Sequence, residues 1–136
     1  MSALKTLDNR VSYRISRVKQ DVFLRDDFAD LAGYDQVGRS LRNMVKNGKL
    51  VKVGYGLYAK GRTSRFSGKV IPDKPLPELA RQALERLNIE TIPSSYERDY
   101  NEGRIDQVPT GRVVGIRGRF SRKMGFDGKY VVFERA

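Results

Sequence analysis

Gln36, Arg39, Ser40, Arg42, Asn43, Lys46 and Asn47 fall in one short stretch of the chain, and nearly all of them are hydrogen-bond donors. Donors of these types match the edges of bases and the oxygens of phosphates. Arg pairs bidentately with guanine O6 and N7, Gln or Asn with adenine N6 and N7, and Lys meets phosphate as a point charge. In that chemistry Arg39 suits guanine, and Gln36 or Asn43 suits adenine. Tyr34 stands beside them, and Ser40 is small enough to let a helix sit deep. Tyr34, Gln36, Arg39, Ser40 and Asn43 are therefore the expected base-contacting set. Arg42, Lys46 and Lys49 are expected on phosphates, with Arg17 and Lys19 upstream and Lys52 and Tyr55 downstream.

Such side chains need a rigid carrier. Val37, Leu41, Met44 and Val45 recur at i, i+4, i+7 and i+8, which puts them on one face of a helix over Asp35 to Asn47, opposite the donors. Asn47-Gly48 stops that helix. Leu50 to Tyr58 then reads as two strands around Gly54-Tyr55-Gly56. Upstream, Leu7, Val11, Ile15 and Val18 mark a first helix capped by Thr6 or Asp8. Val22-Phe23-Leu24 is a short strand. Asp26 to Leu31 is expected as a second helix, ended by a left-handed Gly33. Helix, strand, helix, turn, helix and ribbon in about sixty residues is the order of a winged helix-turn-helix. The expected fold is α+β: this N-terminal module over residues 1–60, a basic linker or loop over 61–75, and a small α+β domain over 76–136 that ends in a β-hairpin and serves dimerisation or partner binding.

Charge points the same way. The 136 residues hold 27 Lys and Arg against 16 Asp and Glu, giving +11 and a pI near 10.1. A pI above 9 in a small domain is a footprint of nucleic-acid binding. The excess is spread along the chain, twelve basic and six acidic groups in residues 1–60 and fifteen and ten in residues 61–136. There is no cysteine and no histidine, so disulfides, thiolate zinc sites and histidine-based nucleophilic catalysis are excluded. The longest apolar run is the four residues from Tyr130 to Phe133, too short for a membrane span or a signal-peptide core, and the cytoplasm is the simplest compartment.

In the second half, Leu79, Ala80, Ala83, Leu84 and Leu87 pattern a helix entered through Pro77. Ile89 to Ile92 reads as a strand, and Ser94 caps a short helix that stops at Gly103. Strands are expected at Arg112 to Arg117, Phe120 to Phe126 and Lys129 to Arg135, the last two joined by an Asp127-Gly128 hairpin turn. Val114, Ile116, Val131 and Phe133 supply the apolar strand faces expected to meet a partner or a second copy. Phe120, Phe126 and Tyr130 would serve the alternative of RNA or ribosome binding.

An enzyme reading rests on Asp26, Asp27 and Asp30, on Glu97, Asp99 and Glu102, and on a nuclease-like Pro72-Asp73-Lys74. The downstream acid-x-Lys strand is missing, and neighbouring acids on one helix do not converge on a metal. No enzyme, metal or cofactor is expected. Gly115-Ile116-Arg117-Gly118 and Gly125-Phe126-Asp127-Gly128 do not lie between a strand and a helix, so they are turns rather than dinucleotide loops.

Several segments together carry a resemblance. They are Val22-Phe23-Leu24-Arg25-Asp26-Asp27-Phe28-Ala29-Asp30-Leu31, Gly33-Tyr34-Asp35-Gln36-Val37, Leu41 with Val45-Lys46-Asn47-Gly48, Gly54-Tyr55-Gly56-Leu57-Tyr58, and Asp106-Gln107-Val108-Pro109-Thr110-Gly111-Arg112-Val113-Val114. The chain resembles the AbiEi-like antitoxin family of type IV toxin–antitoxin systems, in a short winged-helix form. That resemblance implies a regulator that binds double-stranded operator DNA through its N-terminal domain and represses its own operon. It also implies a nucleotidyltransferase-type toxin as partner of the C-terminal part. The second domain is shorter than in full-size members, and Leu24 stands where a Ser or Thr cap is expected.

Overall fold

A computed structural model describes residues 6–104, 112–120 and 122–135. The chain divides into two compact units, residues 1–74 and 75–136. Both mix helices and strands.

In the first unit, helix α1 (Leu7–Arg17) is capped by Thr6, whose Oγ1 accepts from the Asn9 N–H at 3.1 Å. Thr6 thus takes the capping role, and Asp8 lies inside the first turn. Val11 and Ile15 are buried one turn apart on the core side. Strand β1 (Val22–Leu24) follows. The expected second helix is only a 3-10 turn, Arg25–Phe28. Leu24 offers no side-chain cap, and Asp27 Oδ2 instead accepts from the Leu24 N–H at 2.9 Å. Gly33 does not end that turn in a left-handed conformation. It is extended (φ −68°, ψ 164°) and forms the N-cap of helix α2 (Tyr34–Lys46).

α2 is the anticipated amphipathic helix. Val37, Leu41 and Met44 are buried, and Asn47 caps the C-terminus. Gly48 then takes φ +79°, a left-handed turn open to glycine at little cost. β2 (Leu50–Gly54) and β3 (Leu57–Thr63) pair antiparallel across Tyr55-Gly56, with an irregularity between Lys52 and Gly54. β1 pairs antiparallel with β3, so the strand order is β1-β3-β2. Phe23, Phe28, Val37, Leu41, Met44, Leu50 and Tyr58 close one core with Val11 and Ile15.

Residues 61–75 are not a linker. β3 runs on to Thr63 and pairs antiparallel with β4 (Val70–Pro72), so the segment builds a second hairpin on the same sheet. Its Gly, Ser and Pro content reflects a turn and an edge strand, positions where those residues fit.

The second unit begins with helix α3 (Leu76–Arg86), entered through Pro77 as expected, with Leu79, Ala80, Ala83 and Leu84 buried. β5 (Thr91–Ile92) precedes helix α4 (Ser95–Asn101). There Ser94 Oγ accepts from the Glu97 N–H and Glu97 Oε1 accepts from the Ser94 N–H, at 3.1 and 3.3 Å. β6 (Val113–Ile116) pairs antiparallel with β5 and parallel with β9 (Val132–Arg135). Between them β7 (Gly125–Phe126) and β8 (Lys129–Tyr130) form the expected hairpin. Asp127 and Gly128 both have positive φ, 55° and 76°, as a primed turn requires. Among the described residues the strands are shorter than anticipated: only Gly125–Phe126 of the expected Phe120–Phe126 strand forms, and Val131 separates β8 from β9. Residues 106–111, part of the resemblance, lie outside the described residues.

Leu41 is fully buried where α2 meets the rest of the core. Leu41→Ala should lower unfolding stability by about 2–5 kcal/mol in urea titration, from lost burial and the residual cavity. A much smaller loss would show that α2 is not anchored there.

Candidate functional site

The inward face of α2 determines what its outward face presents. With Val37, Leu41 and Met44 in the core, Asp35, Arg39, Arg42 and Lys46 lie along the exposed side at i, i+4, i+7 and i+11. Asp35 puts one carboxylate into the first turn of this otherwise cationic stripe, where it also faces the positive end of the helix dipole. Arg39, Arg42 and Lys46 make no ion pair among the described residues.

Not every expected base-contacting residue shares that exposure. Ser40 is only 2 % exposed, and its hydroxyl donates to Asp8 Oδ1 at 2.6 Å. Asn43 is half-buried, and its Nδ2 donates to Asp8 Oδ2 at 3.0 Å. The two donors flank the buried stripe on the side where α1 packs, so one carboxylate from α1 engages both. Ser40 therefore leaves the outward set, and Asn43 sits at its edge with its amide occupied. Gln36 remains exposed, with Oε1 accepting from the Gly33 N–H at 3.4 Å. Alongside this seam a groove of about 370 Å³ opens between the first turns of α1 and α2, with Asp8, Arg10, Gln36 and Arg39 on its walls.

Tyr34 is exposed, but it is not alone. The Arg25 guanidinium lies over its ring, 4.0 Å from the centroid. Gly38 makes room for that arrangement, since a Cβ there would come within 2.8 Å of Arg25 Nη2. Arg25 was missing from the expected site. Its one sequence signal was a glycine inside a regular helical pattern, a placement costing about 1 kcal/mol relative to Ala and usually explained by packing.

The expected phosphate ligands Arg17, Lys19, Arg42, Lys46, Lys49, Lys52 and Tyr55 are all exposed. Lys49 Nζ donates to Ser12 Oγ at 2.7 Å, and the Arg17 guanidinium sits 5.4 Å from the Tyr13 ring centroid. Tyr58, by contrast, is buried in the core.

Comparison of the chain with protein-family models, curated proteins and solved structures finds no match in any of the three. Function therefore rests on the residues.

Of the acids considered for a metal, Asp27, Asp30, Asp73, Glu97, Asp99 and Glu102 have protein partners, and Asp26 is exposed. Arg14 binds both Asp30 carboxylate oxygens at 2.6 and 2.8 Å and also donates to the Asp27 carbonyl. Asp99 and Glu102 both engage Arg104. Among the described residues no three acids gather as metal ligands. In the second unit Val114, Ile116 and Val131 are buried and Phe133 packs edge-on against Phe120 at 4.8 Å, whereas Tyr130 on β8 and Val132 on β9 are exposed. Among the described helices, none is long and apolar enough to cross a membrane.

Asp8→Ala would leave the buried Ser40 hydroxyl without its acceptor and should cost about 1–3 kcal/mol in denaturant unfolding. Adding Ser40→Ala to that variant should recover part of the loss; a fully additive double mutant would show that the pair does not interact.

The hydrogen bond from Arg14 holds the Asp30 carboxyl below the ordinary aspartate range. A depressed folded pKa stabilises above the unfolded value of about 3.9 and stops doing so as pH falls through the folded value. The stability gap between the wild type and Asp30→Asn should accordingly be constant near neutrality and close as the pH drops below the usual aspartate range. A gap that persists in acid would mean that the contact does not depend on the charge of Asp30.

Proposed function

We propose that this protein is a non-enzymatic, sequence-specific regulator whose first unit binds double-stranded DNA as a winged helix-turn-helix, with α2 as the recognition helix. The observation that carries this reading is the outward stripe of α2, where Arg39, Arg42 and Lys46 stand exposed and unpaired among the described residues on a helix whose other face is held in the core. Lys46 in the last turn favours the helix dipole, but neighbouring exposed cations without ion-pair partners also repel one another, and a polyanionic partner would relieve that repulsion. An α-helix fits the major groove, about 12 Å wide. Arg39 and Gln36 lie toward the N-terminal end of α2, the end that normally meets base edges. Asp35 adds an acceptor that suits a cytosine amino group.

The β2–β3 ribbon supports the same reading: it follows α2 directly, and there Lys52 and Tyr55 would meet the DNA backbone. The middle helix of the expected order is a single 3-10 turn, Arg25–Phe28, so the helical part of the reading rests on α1 and α2. The AbiEi-like resemblance extends the proposal to an antitoxin-like autorepressor of its own operon, with a nucleotidyltransferase-type toxin as its further partner.

Arg17, Lys19, Arg42, Lys46, Lys49 and Lys52 are the proposed phosphate ligands. Six such contacts give a slope of log K against log salt of about −5, so affinity for duplex DNA should fall roughly 10³-fold between about 50 and 200 mM salt. Arg42→Ala should flatten that slope by about 1. Arg39→Ala should cost roughly 1–3 kcal/mol on the preferred site and relax base preference at one position. Salt-independent binding, or structured RNA that outcompetes duplex DNA in filter binding, would sink this reading.

A further inference from the structure

Phe66 is fully exposed, and among the described residues it is the most exposed of the large apolar side chains. It does not sit on a loose loop. The Ser64 N–H donates to the Lys69 carbonyl at 2.8 Å and the Gly68 N–H to the Ser64 carbonyl at 3.0 Å, closing the turn between β3 and β4. Ser64 Oγ accepts from the Phe66 and Ser67 N–H groups at 3.2 and 3.4 Å, and Gly68 turns the chain with φ +73°. The hairpin therefore holds out one aromatic ring on an ordered tip. Around it the segment carries Arg62, Arg65, Lys69 and Lys74 against the single acid Asp73, which pairs with Arg62 at 3.5 Å. Arg65 precedes Phe66 and Lys69 follows it by three residues in the same turn, and both are exposed.

We propose that this hairpin tip is a second DNA contact, in which Phe66 wedges against a base step from the minor groove while Arg65 and Lys69 hold the neighbouring phosphates. Apolar wedges of this kind, Phe among them, partially unstack a base step and kink the duplex. The proposal rests on the reading of the first unit as a duplex-binding module. It adds a contact that neither α2 nor the β2–β3 ribbon supplies. The ribbon tip at Tyr55 and the tip at Phe66 lie at opposite ends of β3. β3 has seven residues, about 23 Å at roughly 3.3 Å each, which exceeds the roughly 12 Å width of the major groove. Two tips so placed can engage the duplex on either side of the groove that takes α2. An anionic membrane would also attract cations around an aromatic ring, but membrane docking scales with buried apolar area. Ser64, Ser67 and Gly68 leave Phe66 with no apolar neighbour on the tip, and that favours the wedge.

The test compares wild type, Phe66→Ala, Phe66→Leu, Arg39→Ala and Arg42→Ala on a short duplex carrying a donor and an acceptor dye at its two ends. Phe66→Ala should fold as the wild type does by circular dichroism, bind the duplex roughly 5- to 150-fold more weakly, and abolish the shortening of the end-to-end distance. Phe66→Leu, which keeps an apolar wedge, should retain that shortening. If Phe66→Ala leaves affinity and distance unchanged while Arg39→Ala and Arg42→Ala weaken binding, the wedge is wrong and the α2 reading stands. If Phe66→Ala weakens binding and the α2 variants do not, the hairpin contact stands and the recognition-helix reading fails. Loss of binding to phosphatidylserine vesicles by Phe66→Ala, with duplex binding unchanged, would overturn the wedge in favour of a membrane contact.

Discussion

Burial of one stripe of α2 is the constraint from which the rest of the first unit follows. Val37, Leu41 and Met44 are removed from water against α1, the 3-10 turn and the sheet. Burying side chains of this size is worth about 1.5–3 kcal/mol each, more than any exposed ion pair nearby contributes. That difference fixes the rotation of the helix about its axis. A turn of one residue position would swing Arg39 or Arg42 toward the core and leave a cation without water or a counter-charge. Apolar packing thus orients the polar face, although it makes no contact with anything that face would bind.

Polar groups refine the orientation where the apolar stripe ends. On one flank Asp8 takes hydrogen bonds from Ser40 and Asn43, and on the other Gly38 lets Arg25 lie across the helix onto Tyr34. Charge-assisted bonds to a carboxylate are about twice as strong as neutral ones, so Asp8 ties α2 to α1 by more than packing alone. The stacked Arg25 guanidinium places an ordered cation beside the first turn of α2. Both devices reduce the freedom of side chains at the edges of the outward face.

Much of this was legible along the chain, for reasons that can be named. The helical period of Val37, Leu41, Met44 and Val45, with Gly48 just beyond, located α2 to within a residue at each end, because a buried stripe and a left-handed terminator are both local signals. Asp127-Gly128 marked its hairpin for the same reason. What could not be read depended on tertiary placement. Ser40 and Asn43 lie on the polar side of any helical projection, and only the packing of α1 brings Asp8 onto them. Asp26 to Leu31 has a helical composition, but the short path from β1 to Gly33 leaves room for a single 3-10 turn. β4 was hidden because Val70-Ile71-Pro72 is brief, ends in proline and is recognisable as a strand only once β3 lies beside it.

Charge also separates the two units. Residues 1–74 carry sixteen basic and seven acidic groups, a net +9, residues 75–136 carry eleven and nine, a net +2, and their cations are used differently. In the second unit Arg81, Arg104 and Arg117 each meet a carboxylate, on Glu97, on Asp99 and Glu102, and on Glu90. There Glu134 also accepts from the Ser95 N–H and hydroxyl, and those bonds hold its carboxyl below the ordinary range. On α2 the cations have no such partners among the described residues. Surface pairs add little to stability, so the contrast is not about how tightly each unit folds. It concerns where the field is left uncompensated. A phosphate backbone would meet that field along α2 and the two hairpins of the first sheet, and far less of it at the paired arginines of the second unit.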